Sequence, residues 1–99
     1  MSVVAYVPDL MDRSKVAAAG DVTFVAAPAD LAGTDADLVL VDLGRPGVLD
    51  VLPHIAARVV GFANHEREEL FDAARAAGAE PLARSVFFRR VGDLVANNP

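Results

Sequence analysis

Short apolar runs rich in β-branched residues recur along this chain, each followed by a stretch that reads as helix, and this alternation constrains the fold more than any other feature. Residues 3–7, 22–26, 38–41 and 59–62 read as strands. Their apolar character is continuous rather than alternating, which is the pattern of a strand covered on both faces. Residues 80–83 form a fifth, more polar run. Strands that alternate with helices imply a parallel sheet with right-handed crossovers and helices on both sides. An α/β class follows.

The helical stretches carry their own punctuation. Asp9 or Asp12 can cap a first helix through Ser14, Lys15 and Val16 to Ala19, with Gly20 ending it as a left-handed residue. Pro28 suits the first turn of a very short helix closed by Gly33. The clearest helix follows Asn64 or His65 as N-cap, with Glu66, Glu68 and Glu69 in the turn where carboxylates complement the helix dipole. Leu70, Ala73, Ala74 and Ala77 make its apolar face, and Gly78 stops it. A last helix beyond Ser85 places Phe87, Val91, Leu94 and Val95 on one stripe and runs out at Asn97, Asn98 and Pro99. Pro53 interrupts the segment between the third and fourth strands. Either Asp50 is the N-cap and Pro53 falls in the first turn, or two short turns replace one helix.

At 99 residues there is room for one domain, residues 1–99, and for a real core. A hydrophobic share of 54% excludes disorder, while no apolar run is long enough to cross a bilayer, so no membrane partner is expected. The net charge of -5 and pI near 4.7 argue against nucleic acid, whose phosphates call for clustered Lys and Arg. With no cysteine there is no disulfide framework and no thiolate chemistry. The start, MSVVAYVPDL, has neither a basic segment nor a long apolar one, which sets the expectation of a cytoplasmic protein.

In open parallel sheets, ligands gather beyond the carboxyl ends of the strands. Asp9 follows the first strand and Asp42 closes the third, so their carboxylates converge if those strands are neighbours. Gly44 and Pro46 then turn the chain away, leaving Asp42 at the rim.

Here the chain resembles the receiver domains of two-component response regulators. The likeness rests on LVLVDLGRPG, in which an acid ends the third strand with Pro four residues later, and on VVGFANHEREELFDAARAAGAEPLARSVFF, which follows the family's order of elements. It implies a flavodoxin-like three-layer α/β/α sandwich with a five-stranded parallel sheet of order 2-1-3-4-5, the first three helices being shortened. It also implies that Asp42 stands at the phosphoacceptor position, with Asp9 and Asp42 as ligands of a weak Mg²⁺ site. The family's other parts are altered. VPDL leaves one acid where two adjacent ones occur, Ala63 lies at or beside the position of a hydroxyl residue, and the lysine position falls on Arg84 or Ser85, with Val86 in place of the usual Pro. Arginine's planar fork differs from a lysine point charge, and Arg84 is free to pair with Asp42 and hold the site shut.

The expectation is a degenerate, non-enzymatic receiver-like module that works by protein-protein contact, without a resident cofactor. Its partner is another protein or a second copy, docked through the last strand and its flanking helices. Phe88, Arg89 and Arg90 are the candidate interaction surface, since Phe87 and Phe88 cannot both face the core. The alternative is a standalone phosphoacceptor using Asp42 and Mg²⁺. A small enzyme or cofactor-binding module has less behind it, there being no GxGxxG or P-loop pattern. His54 and His65 lack metal-ligand spacing, and Ser14 and Ser85 lack a recognisable base.

Overall fold

The computed structural model describes residues 2–97; the expected run-out of the last helix at Asn98 and Pro99 lies outside the described residues. Five strands, β1 (Val3–Tyr6), β2 (Thr23–Phe24), β3 (Leu38–Asp42), β4 (Arg58–Ala63) and β5 (Glu80–Ala83), form one sheet in the order β2-β1-β3-β4-β5. Every neighbouring pair is parallel. The fold is α/β with a parallel sheet, as the alternation of runs predicts, and its strand order is the flavodoxin-like one that the resemblance implies.

Alternation of side chains along the buried strands divides the core into two layers. Leu38 and Leu40 of β3 join Val3, Ala5, Val60 and Phe62 beneath helices α1 (Leu10–Ala17) and α4 (Arg84–Asn97). Val39 and Val41 point the other way, toward α2 (Val48–Val51) and α3 (Glu68–Ala76). A side chain buried in either layer contributes roughly 1.5–3 kcal/mol for the larger aliphatic and aromatic types. Gly61 lies where β4 leaves no room: a Cβ built there would stand 2.6 Å from Cγ and Cδ2 of Leu43.

Several boundaries differ from expectation. Helix α1 starts directly after Asp9 and ends at Ala17, with Ala18 as its right-handed C-cap, so Gly20 does not close it. Gly20 has φ +153°, and a Cβ there would come 2.8 Å from Cγ1 of Val95; it lets the chain pass beneath α4. Neither Asn64 nor His65 caps α3. A turn in which Arg67 donates its amide to the Asn64 carbonyl at 2.9 Å intervenes, Arg67 takes the N-cap position, and Glu66 is left outside the helix. Gly78, at φ +92°, does end α3. Around Pro53 two short pieces replace one helix: α2, then a 3-10 turn over Leu52–His54. Another 3-10 turn, Pro28–Leu31, follows β2.

Candidate functional site

All five strands run the same way, so their carboxyl ends share one rim. Tyr6 of β1 is in register with Val41 of β3, which brings the segment after β1 beside Asp42. Asp9 adopts an extended conformation, φ -65° and ψ 128°, and its Oδ1 accepts the amide hydrogens of Met11 and Asp12, each at 3.0 Å. It is the N-cap of α1.

The first turn of α1 places Asp12 under the rim, and β5 passes without a loop into α4, so that Arg84 faces it. Arg84 donates from Nη1 to Oδ2 of Asp12 at 2.9 Å and from Nη2 to Oδ1 at 2.6 Å. Asp12 is the buried charged residue among those described, its side chain 7% exposed, whereas that of Arg84 is 41% exposed. A two-bond fork between ionised groups is both shorter and stronger than a neutral hydrogen bond. The Arg84 guanidinium also lies 5.3 Å from the ring centroids of Phe62 and Phe88, so aromatic faces flank the ion pair. The hydrogen bonds from Arg84 hold the Asp12 carboxyl below its ordinary value, against the opposing effect of burial. Asp12 in turn raises Arg84, and the charges of Asp42 and Asp9 add to the effect. Three acids therefore gather around one arginine.

Asp42 keeps other company. Its Oδ1 accepts the Gly44 amide at 3.1 Å, and its Oδ2 accepts Nε of Arg45 at 3.3 Å. The pairing of Arg84 with Asp42 expected from sequence is replaced by pairing with Asp12, and Arg45 serves Asp42 instead. Asp12 entered the sequence reading only as a cap; the signal that distinguishes it is its position one helical turn beyond Asp9, on the inward side of α1, where Val16 is also buried. The contribution of Arg45 was readable from its place three residues after Asp42.

Asp42, Gly44, Phe62, Ala63, Asn64, Arg67, Leu70 and Arg84 line a small cavity of about 220 Å³ at this rim. Ala63 is buried and brings only a methyl group to this lining. Arg67 is paired with Glu69. Among the described residues, no three or more His, Asp or Glu side chains are grouped so as to hold a metal ion. Ser85 stands exposed in the first turn of α4, and Arg89 and Arg90 are exposed one turn further on. Phe88 is half-buried, its ring 5.1 Å from that of Phe62 and 5.0 Å from that of Phe87, so it belongs in part to the core.

No protein-family model and no curated protein matches the chain. Among the described residues, no helix is long and apolar enough to cross a membrane.

Proposed function

We propose that the chain is a degenerate receiver-like signalling module that acts by protein contact and carries no phosphoryl group on Asp42. The observation behind this reading is the forked pair of Arg84 with Asp12. Arg84 stands where the resemblance calls for the lysine that meets a phosphoryl group. With two of its N–H groups committed to a buried carboxylate, Arg84 meets a phosphoryl group on Asp42 only with those that remain, and turning the whole fork over to that group breaks two charge-assisted bonds. Ala63 supplies no hydroxyl, and Arg45 already neutralises the Asp42 carboxylate. The donor set also suits Mg²⁺ poorly. Mg²⁺ demands near-octahedral oxygen, whereas Asp9 spends Oδ1 on the helix cap and both oxygens of Asp42 are engaged.

Contact through the β5 side would use the helices rather than the strand. β5 is the sheet's edge, but Pro81 withholds an amide from any added strand. Exposed Arg89 and Arg90, on a chain of net charge -5, favour an acidic patch on a protein partner or on a second copy. A cytoplasmic setting agrees with the absence of cysteine.

A second reading, phosphoacceptance at Asp42, is favoured by the rim cavity, which brings Asp42 together with Arg67, Arg84 and Asn64. Incubation with Mg²⁺ and acetyl phosphate decides between the two. Intact mass spectrometry is expected to show no species heavier by about 80 Da. An adduct that disappears in Asp42→Asn would overturn the proposal in favour of the second reading.

A further inference from the structure

A second cavity, of about 490 Å³, opens between α1, the segment after β4 and the start of α4. It is lined by Lys15, Asn64, His65, Ala83, Arg84, Ser85 and Phe88. This size lies within the range of small-molecule sites. Asp42 is not part of its lining, and no carboxylate is, although acids outnumber Lys and Arg by 14 to 9 in the chain.

Apart from the Arg84 fork to Asp12, the polar side chains there are uncommitted among the described residues. Arg45, Arg58, Arg67, Arg75 and Arg84 are held in ion pairs, but Lys15, the chain's only lysine, is in none among the described residues. Its ammonium lies 5.1 Å from the centroid of the Phe88 ring, which fixes the long side chain beside the opening. Arg84 has five N–H groups and gives two to Asp12, which leaves three. The side chains of Asn64, His65 and Ser85 donate to no other described residue. Asp12 balances Arg84 and also feels the charge of Lys15, but no carboxylate lines the cavity, so Lys15 meets it as an ammonium in no ion pair among the described residues, surrounded by neutral donors.

We propose that this cavity binds a compact oxyanion of the phosphate class, with Lys15 and the remaining N–H groups of Arg84 as charged contacts and Asn64, His65 and Ser85 as neutral ones. Anion capture of this kind needs a fixed cation and several convergent donors, and both are present. The cavity shares Asn64 and Arg84 with the Asp42 rim but not Asp42 itself, and the proposal does not rest on the receiver reading.

The test is a titration of the ¹⁵N-labelled whole chain with inorganic phosphate, at constant pH and ionic strength, followed by amide shifts. Saturable shifts are expected at Lys15, Asn64, His65 and Ser85. Lys15→Met, which keeps an apolar stem over Phe88, should weaken binding at least five-fold, whereas Arg13→Met, an equal loss of charge elsewhere on α1, should leave it unchanged. Asp42→Asn should also bind phosphate normally, whatever the outcome of the acetyl phosphate experiment. The proposal is overturned if shifts are absent, if they appear equally around Arg13, Arg89 and Arg90, if Lys15→Met binds as tightly as the parent, or if Asp42→Asn abolishes binding.

Discussion

Asp12 is the residue on which the rim turns. A carboxylate with its side chain 7% exposed is tolerable only because Arg84 supplies two hydrogen bonds and a full opposite charge. That environment makes Asp12 a pH-dependent contributor to stability. Its folded-state value is held below the ordinary 3.8, so the unfolded chain binds the proton more readily. The contribution is thus fully present above about pH 4 and is lost as pH falls below 3.8 through the folded value. Urea unfolding at pH 7 should show Asp12→Asn less stable by about 1–3 kcal/mol, the lower part of the range being set by the solvent access that Arg84 retains. The difference between parent and variant should shrink below pH 4. A pH-independent difference, or none, would contradict this account of Asp12.

At the scale of elements, α1 is an eight-residue helix and too short to be stable by itself, so its start must be fixed by its cap and its inward face. Asp9→Ala removes the acceptor for two amides and should cost about 1 kcal/mol, while Asp9→Ser should recover most of it. Thermal unfolding of the two variants checks this. If Asp9→Ser is as unstable as Asp9→Ala, the carboxylate has a role other than capping.

The same helix shows what sequence can convey. The choice of Asp9 or Asp12 as cap was open because both precede the same apolar positions, and only the packing of α1 on α4 sends Asp12 inward. The strands were legible because β3 and β4 are continuous apolar runs, whereas β2 shrinks to Thr23–Phe24 at the sheet's edge, where there is one neighbour to pair with. The start of α3 was not legible: Asn64 has the chemistry of a cap, but its carbonyl is used in a turn that delays the helix by three residues. Pro53 was readable as a disruption, and the alternative of two short turns is the one realised.

At the scale of the whole molecule, the pair of Asp12 and Arg84 spans 72 residues and exists only if the first and last helices pack on the same face of a parallel sheet. No local pattern encodes it. It follows from the order β2-β1-β3-β4-β5, which puts α1 and α4 together over Val3, Ala5, Val60 and Phe62. Arg84 lines both the rim cavity at Asp42 and the cavity beside Lys15, so both depend on where this arginine is held. The most direct measurement is therefore a double-mutant cycle in urea unfolding at pH 7, with Asp12→Ala and Arg84→Ala singly and together, alongside a parallel cycle pairing Asp42→Ala with Arg84→Ala. The account predicts a coupling of about 1–3 kcal/mol between Asp12 and Arg84 and a clearly smaller one between Asp42 and Arg84. Equal couplings, or a larger one to Asp42, would show that Arg84 serves the Asp42 site and would contradict the account.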